Sequence, residues 1–119
     1  MEITLRGYPE SLNHYAGREN SWEYRKAKAE WKEIVWAACL ANKERPSKPY
    51  DYADVEIKYY FKTKSRHDAD NYAGKFLLDG LTEAKVIADD SMDHIRLHIS
   101  GDYDRKNPRT VITIKEVAR

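Results

Sequence analysis

The chain has 119 residues, 41% of them hydrophobic and 34% charged, and a formal net charge of +1. A chain of this length forms one domain with a modest core, so a single domain over residues 1–119 is predicted. A net charge this close to zero argues against nucleic-acid binding through bulk positive charge, although an acidic site can offset a basic surface elsewhere.

Cysteine content and hydropathy indicate the cellular location of the protein. Cys39 is the only cysteine, so no intramolecular disulfide can form. No apolar run approaches the roughly 20 residues that cross a bilayer. The N-terminus also lacks the apolar segment of a secretory signal. We therefore expect a cytoplasmic protein without membrane contact.

The first third of the chain predicts a strand, a loop and a helix. Apolar and polar residues alternate over Met1–Leu5, which is typical of a short strand. A loop rich in Gly, Pro, Ser and Asn follows. Ser21 is a suitable N-cap for a helix that runs to about Lys43. The apolar stripe predicted to be buried on this helix consists of Tyr24, Ala27, Trp31, Ile34, Val35 and Ala38.

The middle of the chain predicts a strand followed by a second helix. Strict alternation over Ala53–Phe61 makes this the clearest strand. The second helix is predicted to be capped by Asp70 or Asn71 and to run to about Lys85. Gly80 inside it costs about 1 kcal/mol relative to alanine, which indicates close packing against a neighbouring element or subunit.

The last third predicts two more strands. One contains Ile95, Leu97 and Ile99, and the other spans Thr110–Val117, with a polar turn over 102–108 between them. The element order is therefore β-α-β-α-β-β. This order predicts an α+β fold with a small mixed sheet and two helices.

Acidic residues are concentrated in and around the second helix. They are, in chain order, Asp68, Asp70, Asp79, Asp89 and Asp90, with Asn71 and Lys75 among them. Two aspartates one residue apart repel each other, more strongly where water is excluded. A hard divalent cation offsets this repulsion, because oxygen ligands suit Mg²⁺ or Mn²⁺. We expect the short connection after the helix to return Asp90 to Asp68 and Asp70, so that three carboxylates hold the metal.

Simpler interpretations of the individual residues stay open. Asp70 or Asn71 could act only as a helix cap. Asn71, Lys75 and Asp79 are spaced i, i+4, i+8 and would share one stripe of the helix, on which Lys75 and Asp79 could form an ordinary salt pair. Asp90 and its neighbour could lie in a solvated turn.

A basic run precedes the acidic residues. Lys62, Lys64 and Arg66 alternate along it, and His67 follows. Such cations are predicted to hold the phosphates that flank the acidic site, which positions a substrate without reading its sequence. His67 is a candidate for phosphate contact or for proton transfer, and a solvated histidine is the simpler alternative.

The acidic pattern resembles the RusA family of Holliday junction resolvases. The matching residues are Asp68-Ala-Asp70-Asn71, Lys75, Asp79-Gly-Leu81 and Asp89-Asp90, and the segment Pro9-Glu-Ser11-Leu-Asn13-His-Tyr15 is similar to the N-terminal motif of that family. The resemblance implies a homodimeric, Mg²⁺-dependent endonuclease of DNA recombination, often prophage-borne, that makes paired nicks in four-way DNA junctions.

The resemblance also assigns roles to residues. It implies that Asp68, Asp70 and Asp90 are catalytic and bind the metal, and that Lys75 is the catalytic lysine. Lys75 lies four residues after Asn71, one more than in the better-known members. The candidate DNA-binding residues are Lys62, Lys64, Arg66, His67, Asn71 and Asn13.

The predicted activity is hydrolysis of a DNA phosphodiester bond, in which metal-activated water attacks phosphorus in line. Two alternatives remain open at this point. One is a junction-binding protein that does not cut DNA, and the other is a Mg²⁺-dependent phosphohydrolase acting on nucleotides.

Overall fold

Four strands and two helices make up the computed structural model, which describes residues 1–119. The strands are β1 (Glu2–Arg6), β2 (Ala53–Phe61), β3 (Ile95–Tyr103) and β4 (Arg109–Glu116), and the helices are α1 (Trp22–Leu40) and α2 (Lys75–Glu83). Two 3-10 turns lie at Leu12–Tyr15 and Ala69–Tyr72. The α+β class and the predicted element order are confirmed. Neither helix combines the length and the hydropathy needed to span a membrane.

The strands form one mixed sheet in the order β1-β4-β2-β3. β4 runs antiparallel to both β1 and β2, whereas β3 runs parallel to β2. Ala53 pairs with Ile95 and Phe61 with Tyr103, so β2 and β3 start and end together. Parallel neighbours need a crossover connection, which α2 provides. β3 therefore lies at an edge of the sheet.

The core lies between one face of the sheet and the two helices. Its centre is the inward-facing row of β2, which consists of Ala53, Val55, Ile57, Tyr59 and Phe61. α1 contributes Val35 and Cys39, and α2 contributes Leu77 and Leu81. Burial raises the pKa of the Cys39 thiol to about 11. The predicted stripe of α1 was wrong at Ile34, whose residue surface is 43% exposed.

The second helix begins later than the sequence predicts. Gly74 adopts a left-handed conformation with φ of 81° and directly precedes Lys75, the first residue of α2. Any side chain at this position would be strained, and its Cβ would also lie 2.4 Å from Cδ1 of Ile57. Asp70 and Asn71 therefore belong to the separate turn at Ala69–Tyr72 and do not cap α2.

This break also separates the predicted stripe of Asn71, Lys75 and Asp79. Asn71 lies before the break, and only Lys75 and Asp79 share α2. The carboxylate of Asp79 lies 3.9 Å from Nζ of Lys28 on α1, so its ion pair joins the two helices. The predicted pairing of Asp79 with Lys75 is thus replaced by a contact with α1.

Gly80 marks the point where α1 and α2 pack most closely. A Cβ at this position would lie 2.5 Å from Cβ of Val35 and 2.9 Å from the carbonyl oxygen of Lys32. The predicted close packing around Gly80 is confirmed, and the neighbour is α1 of the same chain. Backbone atoms of a helix cannot move aside as a flexible side chain can, so this contact requires glycine.

We predict that Gly80→Ala destabilises the fold although alanine favours helices. Overpacking costs about 1–3 kcal/mol, which exceeds the gain of about 1 kcal/mol in helix propensity. Thermal or urea unfolding should show a lower free energy of unfolding. Glu83→Ala, on the exposed side of α2, is the matched control and should change it by less than about 0.5 kcal/mol. A stabilised Gly80→Ala variant would contradict the packing described here.

Candidate active site

Asp68 lies in the segment that leads from β2 into the turn at Ala69–Tyr72. Its backbone is extended, with φ of −83° and ψ of 133°, and its side chain makes no capping hydrogen bond. Instead, Nε of Arg66 donates a hydrogen bond of 2.7 Å to Oδ1 of Asp68. In an extended segment alternate side chains share one side, which explains why Arg66 reaches Asp68 while His67 faces the other way.

Asp70 lies two residues further along the same 3-10 turn and is exposed. The backbone N–H of Asn71 donates to the carbonyl oxygen of Asp68 and closes this turn at 3.0 Å. Asp68 and Asp70 thus sit on one exposed turn beside a guanidinium group. A ligand for these carboxylates, whether a metal or a protein cation, has to compete with Arg66 for Asp68.

Asp90 lies near the opposite end of the sheet. The N–H of Ala88 donates to the carbonyl oxygen of Tyr50, which precedes the start of β2, and Asp90 follows two residues later. Asp68 instead follows the end of β2 and lines a cavity with Ser100 and Gly101 of β3. The nine residues of β2 separate these two ends by roughly 26 Å along the strand.

The expected convergence of three carboxylates is therefore not present within one chain. No three side chains of His, Cys, Asp or Glu lie together so that they could hold a metal ion. The donors themselves suit a hard divalent cation, because Asp68 and Asp70 offer exposed carboxylate oxygens on one turn. The chain thus brings only two of the three expected carboxylates onto one turn, and Asp90 is apart from them.

Lys75 and Asn71 face a small cleft beside the N-terminal loop. The cleft is also lined by Glu10 and Pro9 of that loop. Nζ of Lys75 lies 5.7 Å from the ring centroid of Tyr24. Interaction with the Tyr24 side chain raises the pKa of Lys75 above its ordinary value, at which the ammonium group is already charged at neutral pH. Lys75 is therefore a fixed positive charge near the turn that carries Asp70.

The remaining DNA-binding candidates separate into two groups. Lys62, Lys64 and Arg66 are exposed on the segment after β2, at the same end of the sheet as Asp68. Nζ of Lys64 lies 5.0 Å from the ring centroid of Tyr103, which holds the cation against β3. Asn13 is exposed on the first 3-10 turn, in the loop next to the cleft that Lys75 lines.

An aromatic stack that sequence reasoning missed stands next to Asp68. The ring of His67 lies on that of Phe61, with centroids 3.7 Å apart and planes within 5°. Phe61 in turn stacks on Tyr59 at 5.6 Å and 25°. Tyr72 meets the edge of this stack, 4.9 Å from Phe61. The sequence feature that could have predicted this stack is the pair of inward-facing aromatic residues at the end of β2, Tyr59 and Phe61, a few residues before His67.

Comparison with known protein families identifies a match over most of the chain. Residues 8–115 match the family described as Endodeoxyribonuclease RusA, and this match includes both acidic loops and the stack. No curated protein matches the chain. Enzymes of this family are endodeoxyribonucleases that bind branched DNA and resolve Holliday junctions, and nucleases of this kind generally need a divalent metal. The match covers nearly the whole chain, which therefore belongs to the RusA endodeoxyribonuclease family.

Proposed function

We propose that this protein is a homodimeric, Mg²⁺-dependent nuclease that nicks four-way DNA junctions at two symmetric positions. The observation that supports this most directly is the exposed turn carrying Asp68 and Asp70, flanked by cations on one side and by Lys75 on the other. Carboxylates suit a metal, and cations suit the phosphates on either side of it. The family match makes DNA the substrate.

The two aspartates would hold Mg²⁺, for which Mn²⁺ can substitute. When bound, such a metal lowers the pKa of a water molecule and offsets charge on the leaving oxygen. Without a metal, the Asp68 carboxylate forms an ion pair with the Arg66 guanidinium. Once Asp68 has another partner, this guanidinium is free to bind a phosphate oxygen next to the cut. Lys75, which retains its charge, stabilises negative charge on the scissile phosphate.

A second protomer completes the ligand set in this proposal. Asp90 precedes β3 and Asp68 lies towards its other end, so the two carboxylates lie at opposite ends of an edge strand. A two-fold axis beside β3 and perpendicular to it would reverse the direction of this strand in the second copy. The partner's Asp90 is then brought towards Asp68 and Asp70. Each dimer has two equivalent sites, which suits a substrate with two phosphates to cut.

We predict that Asp70→Asn removes junction cutting but not junction binding. The substitution removes a metal ligand, which should lower the rate by on the order of 100-fold or more, and it also removes a negative charge that repels DNA. A labelled four-way junction should be cut by the wild type with Mg²⁺ and remain intact with the variant or with EDTA. Gel shift of the same junction measures binding.

Glu30→Gln is the matched control, since it removes an exposed carboxylate from α1 that pairs only with Lys26. It should cut as the wild type does. Symmetric products with the wild type would support the proposal. Binding without any product would favour a junction-binding protein instead. Release of phosphate from nucleotides with uncut DNA would favour a nucleotide phosphohydrolase.

Mixing two inactive variants tests whether the site is shared between protomers. Asp70→Asn and Asp90→Asn should each be inactive alone. In a mixed dimer both defects fall in the same shared site, and the other site is intact. Co-expression should therefore restore about one quarter of the wild-type nicking rate, because about half of the dimers are mixed and each has one intact site. No recovery in verified mixed dimers would mean that Asp90 acts within its own protomer.

Junction affinity should depend steeply on salt, because each phosphate contact releases counterions. Replacing Lys62 or Lys64 with alanine should reduce the slope of log K against log salt by about 1 each. Fluorescence anisotropy of a labelled junction at several salt concentrations measures the slope. Lys43→Ala, which lies beyond the end of α1 on an exposed segment, is the control and should leave the slope unchanged. Equal slopes for all variants would contradict the phosphate contacts.

A further inference from the structure

A groove runs along the inner side of β3, beside the aromatic stack. It consists of two adjoining cavities that share Phe61, His67 and Gly101. The first has a volume of about 200 Å³ and reaches Asp68 and Tyr72. The second has a volume of about 410 Å³, and its further lining residues are Thr63, Lys64, Ser65, Asp102 and Tyr103. We call these two cavities together the β3 groove.

His67 is the outermost ring of the stack and lines both parts of the groove. One face of its ring is covered by Phe61, and Phe61 also stacks on Tyr59, which is 1% exposed. His67 itself is only half-buried. The stack therefore ends at a flat, accessible ring, and a planar aromatic ligand would be its next layer.

Within a single chain, the groove is open because β3 carries little bulk there and no helix covers it. Beyond Ile95, every residue of β3 is exposed or half-buried. At Gly101 a Cβ would lie 2.9 Å from Cε2 of Phe61, so glycine allows the ring to lie directly on the strand. Ser100 lies next to it. The shape of this aromatic pocket suits a flat ligand, and its rim also offers polar groups at Ser65 and Asp102.

We propose that the β3 groove receives one unpaired nucleobase from the branch point of the DNA, stacked on His67. This inference rests on the proposed function and adds a binding site to it. Asp68 follows His67 directly in the chain and lines the same groove, so the stacked base belongs to a nucleotide next to the phosphate to be cut. Lys64, held over Tyr103, faces the flanking phosphates.

The physical reasons favour a base over a phosphate as the ligand of His67. Aromatic rings that line a cavity stabilise a planar group, whereas a phosphate needs donors that converge on it. Bases at a branch point lack one stacking neighbour, so extruding one costs less than extruding a base from a continuous duplex. A stacked base would also hold the branch point in register with the aspartates.

A coupling experiment between His67 and the DNA tests the proposal. Junctions are made with one abasic site, placed in turn at each nucleotide flanking the crossover, and their affinities are measured in EDTA so that nothing is cut. On the intact junction His67→Ala should bind about 5- to 150-fold more weakly than the wild type. His67→Phe should bind within a few-fold of the wild type. At one abasic position the wild type should lose the same factor, and the difference from His67→Ala should vanish.

His98→Ala, on the exposed outer side of β3, is the matched histidine control and should bind like the wild type on every junction. Thermal melting checks that each variant folds, and His67→Leu, which keeps an apolar contact with Phe61 but no ring, replaces the alanine variant if that variant unfolds. An equal loss on intact and on all abasic junctions would overturn the proposal. A His67→Phe variant as weak as His67→Ala would do the same, because it would indicate a charge contact with phosphate.

The coupling experiment and the cutting assay together distinguish a failure of the base site from a failure of the proposed nuclease function. Coupling at one position together with a junction that stays uncut in Mg²⁺ would support the base site and contradict the nuclease. Symmetric cutting without coupling would support the nuclease and contradict the base site. A wild-type protein that binds no junction contradicts both.

Discussion

The parallel pairing of β2 with β3 is the constraint on which the rest of this structure depends. Parallel neighbours begin at the same end of a sheet, so the chain must return along the full length of β2 before β3 starts. α2 makes this return over the buried face, and its close contact with α1 at Gly80 holds it there. The loop that follows β2 and the loop that precedes β3 consequently lie at opposite ends. These are the two loops that carry the acidic residues.

Because of this topology, a complete set of three carboxylate ligands would depend on how two copies of the chain assemble. A single chain can present Asp68 and Asp70 on one turn, but its own sheet keeps Asp90 away from them. An edge strand that is exposed along almost its whole length is a liability for a monomer, because its unpaired backbone groups invite other strands. A second copy arranged around a two-fold axis would address both problems with one contact. Dimerisation would then be a requirement for chemistry as well as a match to a two-fold substrate.

Most of the fold followed from local patterns, whereas the site depended on information that such patterns lack. Alternation identified β2 to the residue, since its inward face is buried along its whole length. Capping rules misplaced the start of α2, because Asp70 and Asn71 are good caps, whereas the helix starts after Gly74, whose left-handed backbone lies too close to Ile57 to admit a side chain. The expected return of Asp90 failed for another reason. A short connection limits how far the chain travels after α2, but it does not say at which end of the sheet α2 stops.

His67 and Asp68 are adjacent in the chain, so stacking of a DNA base on His67 and the orientation of the Asp68 carboxylate would depend on the same stretch of backbone. In the extended segment after β2, His67 turns inward to the stack, while Arg66 and Asp68 turn together towards solvent. Packing His67 on Phe61 therefore fixes the direction in which Asp68 points. A base that adds a layer to the stack would order this segment further and position the carboxylate at the same time. Selectivity for branched DNA over continuous duplex would then arise without sequence-specific hydrogen bonds, because a branch point supplies a base that enters at lower cost while the phosphate beside it stays within reach of the aspartates.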